Sequence, residues 1–199
     1  MARTSDKRDR LIQAANTLIH RKGFHRTTLA DIAKQADVPL GNVYYYFKTK
    51  DDICATVIDE RKQALSRTLE ICCNRTDPKS ALKKLIKDTM GEAEQIAETG
   101  CAYAGLCQEL DNESEPTLAE AADSCIVTVT EWCIDRFREM GCRNAKELGL
   151  EFMTRLEGTL LLGYALHDAK LVRAQLNGLG KWLDALPVSR DAVLATSTR

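Results

Sequence analysis

The feature that most constrains this chain is the spacing of its apolar residues, which follows the helical period almost from end to end. Leu11, Ala15 and Leu18 recur three or four positions apart, as on one buried helix face. The last predicted helix repeats this spacing with four leucines, Leu176, Leu179, Leu183 and Leu186. No alternating run reaches the length of a strand. The pattern therefore predicts an all-α fold of about nine helices.

Turn and capping residues divide the first 50 positions into short helices. Gly23 ends the first helix, and Thr28 begins a second with Asp31 placed three residues later as a capping partner. Residues 37–41 break that helix, and a short helix of about 42–47 follows. We therefore predict a three-helix, helix-turn-helix domain over residues 1–50, a helical domain over residues 51–187, and a tail over residues 188–199.

Charge changes sign near the predicted domain boundary. Residues 1–50 carry ten Lys or Arg against four Asp, whereas the remainder carries 18 basic and 25 acidic side chains. A basic N-terminal segment on an otherwise acidic chain favours contact between residues 1–50 and a polyanion, although chance clustering would give the same asymmetry. No apolar run approaches the roughly 20 residues of a membrane-spanning helix, and no signal peptide is recognisable. We expect a cytoplasmic protein without a membrane partner.

The sequence contains none of the motifs expected of a catalytic, cofactor or metal site. Its eight cysteines form no C-x-x-C pair, only three histidines are present, and thiols are expected in a reducing compartment. There is no Gly-rich phosphate loop and no nucleophile elbow. The neighbouring acids Glu109 and Asp111 are interpreted as solvated. We expect neither an enzyme nor a bound cofactor, which leaves a DNA-binding regulator or a protein-interaction or DNA-architectural protein without ligand control.

The second helix of the predicted helix-turn-helix has the side chains that a major-groove helix needs. Gly41 permits close backbone approach, and Asn42 can bond a base edge or a phosphate. Tyrosine hydroxyls at 44–46 can bind phosphates, and their rings can pack on thymine methyls. Lys48 and Lys50 then face the DNA backbone. Three consecutive tyrosines cannot all point inward, but whether Tyr44 faces the groove or the core stays open.

The segment from Gly23 to Ile53 reads GFHRTTLADIAKQADVPLGNVYYYFKTKDDI. It resembles the DNA-binding signature of the TetR family of repressors, which implies a homodimer on a palindromic operator. The resemblance implies phosphate contacts by Thr28, Tyr46 and Lys50. It implies base contacts by Leu40, Gly41, Asn42, Tyr44 and Tyr45. It implies a small core formed by Ile32, Val43 and Phe47.

The resemblance also predicts how the chain dimerises. In this family the last two long helices pair with their symmetry mates in a four-helix bundle, which corresponds here to about residues 144–169 and 171–186. The leucine row 176, 179, 183 and 186 is interpreted as the dimer seam, with packing against its own core as the alternative. The family consists mostly of repressors, and activation stays open.

Residues 100–110 resemble a segment, G-C-x-x-G-x-x-x-x-E-L, of one TetR branch whose members include sensors of reactive electrophiles or small unsaturated acids. Two sensing chemistries follow. An effector binds noncovalently in a pocket walled by Met90, Tyr103 and Phe152, or Cys101 or Cys107 is a reactive thiol. Reactivity requires a lowered thiol pKa and solvent access. The alternative is that both cysteines simply pack as small apolar side chains.

Overall fold

The computed structural model describes residues 2–74, 77–110 and 116–186, and all regular structure within these ranges is helical. Ten helices are found there: α1 (Ala2–Lys22), α2 (Leu29–Gln35), α3 (Leu40–Tyr46), α4 (Lys50–Cys73), α5 (Pro78–Gly91), α6 (Ala93–Thr99), α7 (Ala102–Leu110), α8 (Pro116–Glu139), α9 (Ala145–Ala165) and α10 (Ala169–Ala185). The predicted all-α class is confirmed. No helix in the described ranges is long and apolar enough to cross a membrane.

The chain divides into two compact units. Unit 1 is Met1–Ala64 with Ala102–Ile126, and unit 2 is Leu65–Cys101 with Val127–Arg199. The predicted domain boundary at residue 50 coincides with the first residue of α4. The first segment of unit 1 extends beyond this boundary, along α4 to residue 64. That this boundary separates two functional domains stays a prediction. The predicted tail, residues 188–199, lies outside the described part of the chain.

In unit 1, α1 packs against α2 and α7, and α2 packs against α3. The apolar stripe of α1 supplies the centre of the core, because Leu11, Ile12 and Ala15 are fully buried. Ile32, Val43 and Phe47 join the same core, as the sequence predicted. This shared core fixes the mutual orientation of α2 and α3, which is the requirement for a helix-turn-helix.

In unit 2, α10 packs against α5, α6 and α9. Gly163 permits close packing of α9 on α10, because a Cβ atom there would lie 2.2 Å from Cγ2 of Val172. The leucine row of α10 faces this core: Leu176, Leu179 and Leu183 are at most 3% exposed. The interpretation of the row as a dimer seam is therefore wrong, because neighbouring helices of the same chain already cover it.

Two local predictions about helix ends differ from the structure. The spacing of Leu82, Leu85 and Met90 predicts one helix to about Glu98, but the helix is interrupted at Glu92, where α5 ends and α6 begins. Asn144 and Glu147 have the three-position spacing of a helix cap, but the Asn144 side chain makes no capping hydrogen bond to α9. By contrast, the Asp77 carboxylate caps α5 by accepting hydrogen bonds from the backbone N–H groups of Lys79 and Ser80.

Candidate nucleic-acid interface

A reciprocal capping box begins α2. The Thr28 hydroxyl oxygen accepts a hydrogen bond from the Asp31 backbone N–H (3.1 Å), and an Asp31 carboxylate oxygen accepts one from the Thr28 backbone N–H (3.2 Å). The Thr28 hydroxyl also donates to the same carboxylate (2.9 Å), and this bond lowers the pKa of Asp31. The predicted phosphate ligand Thr28 therefore has a structural role as well, while its side chain stays exposed.

The turn between α2 and α3 is held by Arg10, a residue that the sequence analysis missed. Asp37 adopts a left-handed conformation (φ 50°), and its carbonyl oxygen accepts a hydrogen bond from Arg10 Nη2 (2.6 Å). The same nitrogen donates to the Ala36 carbonyl oxygen. A cation at the end of α2 is favourable there, because the last carbonyls of a helix are unpaired and carry negative partial charge. No local pattern identifies this contact, since 26 positions separate Arg10 from Ala36.

Helix α3 exposes most of the side chains that were predicted to meet DNA bases. Buried Val43 anchors the helix. Leu40 is 41% exposed, Tyr44 49% and Tyr45 74%. The open question about Tyr44 is therefore answered in favour of the surface. Gly41 is also exposed, and a Cβ atom there would meet nothing within 4 Å, so packing within the described chain does not require a glycine.

Tyr46 differs from its two neighbours. It is half-buried against the unit 1 core, with its ring edge-to-face to that of Tyr45 at a centroid distance of 5.0 Å. Asn42 is likewise half-buried. Both positions lie at the side of α3 rather than at its most exposed line. For Tyr46 this position suits a hydroxyl contact at the edge of a groove, where the phosphates lie.

Two lysines, Lys48 and Lys50, follow α3 at the start of α4, and their ammonium groups donate to backbone carbonyls. Lys48 Nζ lies 2.9 Å from the Tyr44 carbonyl oxygen. Lys50 Nζ lies 2.9 Å from the Phe24 carbonyl oxygen and 4.1 Å from the centre of the Phe24 ring. An ammonium has three donors, so these bonds orient each group and leave capacity for a phosphate. The three-position spacing of Thr49 and Asp52 predicts a capping box, and the two residues form one at the start of α4.

The predicted effector residues are divided between the two units. Cys107 and Tyr103 belong to unit 1, whereas Cys101, Met90 and Phe152 belong to unit 2. Phe152 is fully buried, with its ring centroid 6.2 Å from that of Phe137. Its surroundings are those of a core residue. Met90 is half-buried.

Tyr103 lines a small cavity in unit 1 together with Ile58, Arg61, Leu106 and Cys125. The space holds at most about one water molecule. Arg61, which the sequence analysis missed, is 7% exposed; its guanidinium donates to Asn16 Oδ1 (2.8 Å) and to the Ala102 carbonyl oxygen (2.6 Å). The cavity therefore combines apolar walls with one hydrogen-bonded cation.

The two candidate thiols have different surroundings. Burial, reinforced by the nearby Asp123 carboxylate, raises the pKa of Cys107 to about 12. Cys101 Sγ donates a hydrogen bond to Glu157 Oε1 (3.6 Å), a carboxyl whose pKa burial raises. Neither partner is a cation of the kind that activates a thiol. Among the described residues, no group of three or more His, Cys, Asp or Glu side chains could hold a metal ion.

Comparisons with known proteins agree with the helix-turn-helix geometry. Residues 11–57 match the sequence family described as bacterial regulatory proteins, tetR family. The chain is 28% identical over 167 residues to the HTH-type transcriptional regulator LmrA of Bacillus subtilis, covering 79% of this chain and 86% of LmrA. It is 32% identical over 80 residues to a probable HTH-type transcriptional regulator of the same species, YttP, covering 40% of this chain and 39% of YttP.

Solved structures extend the likeness of the fold beyond the helix-turn-helix. The TetR-family transcriptional regulator SCO4454 from Streptomyces coelicolor superposes with a TM-score of 0.81 at 18% identity, covering 90% of this chain and 95% of SCO4454. A TetR-family regulator from Agrobacterium tumefaciens gives 0.81 at 20% identity, covering 89% and 97% of the two chains. At these identities the superpositions establish the fold alone.

Proposed function

Because the chain is a DNA-binding transcriptional regulator of the TetR family, we propose that it acts as a homodimeric repressor on a palindromic operator. The single observation that carries this proposal is the exposed aromatic surface of α3, which buried Val43 holds against the unit 1 core. In a helix-turn-helix protein the second helix of the motif enters the major groove. Twofold symmetry would then supply one such helix to each half-site.

We assign different tasks to the two groups of predicted contacts. Tyr44, Tyr45 and Asn42 read base edges or thymine methyls, while Leu40 and Gly41 allow the start of α3 to approach the bases. Lys48 and Lys50 bind phosphates at the groove edge. Thr28 and Tyr46 contribute hydroxyl groups to the same backbone contacts. The net positive charge of residues 1–50 favours this docking.

The proposed dimer forms through a surface of α9 and α10 that is exposed in the described part of the chain. Leu161 and Leu162 on α9 are 60% and 51% exposed, and Leu150 lies three turns earlier on the same side. On α10, Gly178 is exposed with open space around its Cα. Exposed leucines on one helix and a small residue on the next suit close helix–helix packing with a symmetry mate.

A small effector that releases the operator is the proposed signal. The cavity beside Tyr103 is the candidate site in unit 1, and it would have to enlarge to accept more than water. The alternative, control by alkylation or oxidation of Cys101 or Cys107, is less favoured at Cys107, because its raised pKa keeps the thiol protonated. Activation of transcription instead of repression is the second alternative.

The proposal is tested with single variants and a duplex selected by the unchanged chain from a random-sequence pool. We expect Tyr46→Ala and Lys50→Ala to weaken binding to every sequence, because phosphates are common to all DNA. Asn42→Ala should instead change which sequence is preferred. Lys87→Ala, an exposed lysine on α5, is the matched control. Equal operator affinity in all these variants would overturn the assignment of α3 to the groove.

The type of control is tested by adding iodoacetamide or hydrogen peroxide to the operator complex. Release that Cys101→Ser or Cys107→Ser abolishes would establish thiol sensing. Binding that persists after both treatments would favour a noncovalent effector.

A further inference from the structure

A carboxylate from α7 holds the turn that precedes the helix-turn-helix. Glu109 Oε2 accepts a hydrogen bond from the Phe24 backbone N–H, and the His25 backbone N–H points to the same oxygen at 3.4 Å. The His25 ring adds a third contact, since its Nε2 donates to the Glu109 carbonyl oxygen at 2.8 Å. The interpretation of Glu109 as a solvated surface acid is therefore wrong.

Gly23 provides the space for this carboxylate. Its φ angle of +86° lies in the left-handed region that glycine adopts without strain. A Cβ atom at position 23 would lie 2.1 Å from Glu109 Oε1, so the carboxylate occupies the volume that any larger residue would fill. The glycine that follows α1 thus also leaves the space in which the carboxylate of Glu109, 86 positions further along the chain, packs.

The other side of the same turn holds the predicted phosphate ligand Lys50. Its ammonium donates to the Phe24 carbonyl oxygen at 2.9 Å, lies 3.4 Å from the His25 carbonyl oxygen, and sits over the Phe24 ring. Glu109 holds the N–H groups of these two residues, and Lys50 is held by their C=O groups. A shift of the turn would therefore displace the ammonium with it.

We propose that Glu109 is a positioning residue for DNA binding: its carboxylate fixes the Phe24–His25 turn and thereby sets where the Lys50 ammonium meets a DNA phosphate. The inference rests on the phosphate contact proposed for Lys50 above. Glu109 itself touches no DNA. Its negative charge would repel a phosphate, and its carboxylate instead accepts hydrogen bonds from backbone N–H groups inside unit 1.

A double-mutant cycle tests this coupling, with the selected duplex as the probe. Glu109→Ala is expected to weaken binding about tenfold and to flatten the salt dependence as much as Lys50→Ala does, by about 0.9 in log–log slope per lost phosphate contact. The double variant should lose no more than Lys50→Ala alone, because both changes remove the same contact. Glu109→Gln, which keeps an oxygen acceptor, should bind within about twofold of the unchanged chain.

Several controls separate positioning from loss of folding. Glu120→Ala removes an exposed acid from α8 in the same unit and should leave affinity and salt slope unchanged. Glu109→Asp withdraws the carboxylate by one methylene group and provides a milder loss if the alanine variant does not fold. Amide hydrogen exchange at Phe24 and His25 should become about tenfold faster in Glu109→Ala and in Glu109→Asp, with or without DNA.

The outcomes distinguish this inference from the proposed function. Failure of the unchanged chain to select or bind any duplex would overturn DNA binding itself. Tight binding by the unchanged chain, together with unaltered affinity and slope in Glu109→Ala, would overturn the positioning role alone. Additive losses in the double variant, or unchanged exchange at Phe24 and His25, would overturn it as well.

Discussion

Placing a charge on the uncovered face of α9 should separate the proposed dimer into single chains. Leu161→Asp is the informative change, because Leu161 is 60% exposed and lies on the same side of the helix as exposed Leu150. Ile71→Asp is the matched control. Ile71 is an apolar residue of α4 with 59% exposure, and α4 is not part of the proposed interface.

The expected magnitude follows from the surface that Leu161 still exposes. Complete burial of a leucine side chain contributes about 1.5–3 kcal/mol. The exposed 60% therefore corresponds to about 1–2 kcal/mol when a partner covers it. A twofold axis places the residue in the interface twice, which gives about 2–4 kcal/mol. This energy raises the dimer dissociation constant roughly 30- to 1000-fold, and desolvation of the new carboxylate adds to the effect.

Sedimentation equilibrium over a range of protein concentrations measures this dissociation constant directly. The unchanged chain and Ile71→Asp should remain dimeric at concentrations where Leu161→Asp is monomeric, and all three should have the helical content of a folded chain. Operator affinity of Leu161→Asp should fall in parallel, because each chain supplies one recognition helix. A dimer of unaltered stability in Leu161→Asp, or equal weakening by Ile71→Asp, would refute the assignment of the seam to this face.

Three further predictions concern the thiol, the core and a helix cap. Burial raises the pKa of Cys107 from its ordinary value of 9.0 to about 12, so at pH 8 its thiolate fraction should be about a thousandfold lower and its iodoacetamide labelling correspondingly slow. Mass spectrometry measures the rate of this labelling, and a rate at Cys107 that is equal in the folded and the denatured chain would contradict the prediction. Phe152→Ala should lower the free energy of unfolding by about 3–5 kcal/mol in a denaturant titration, as expected of a core aromatic. A loss below about 1 kcal/mol would contradict the core assignment and would favour Phe152 as a wall of an open pocket. Asp77→Ala should lower stability by about 1 kcal/mol at neutral pH, because α5 loses its N-cap. The Ser80 hydrogen bond lowers the pKa of Asp77, so this difference should be present above the ordinary carboxyl pKa and should vanish in more acidic solution as the folded state takes up the proton. Equal melting temperatures of the unchanged chain and Asp77→Ala at neutral pH would argue against the cap.

The predictions that succeeded depend on interactions between residues close together in the chain. Helical spacing placed Leu11, Ala15 and Leu18 on one buried helix face, and all three are buried. The Thr28–Asp31 and Thr49–Asp52 capping boxes follow from a fixed separation of three positions. Such signals are readable because the geometry of a helix end repeats in every protein.

The sequence by itself therefore determined the all-α class and the position of the helix-turn-helix, whereas tertiary structure decided what covers each face and each charge. The α10 leucines share one side by their spacing, but only packing against α5, α6 and α9 makes that side a core rather than a dimer seam. Glu109 looked like a surface acid until folding brought it to the N–H groups of Phe24, 85 positions away. Local periodicity fixes which residues point in the same direction, but contacts between distant segments depend on how the whole chain packs, and no short pattern encodes them.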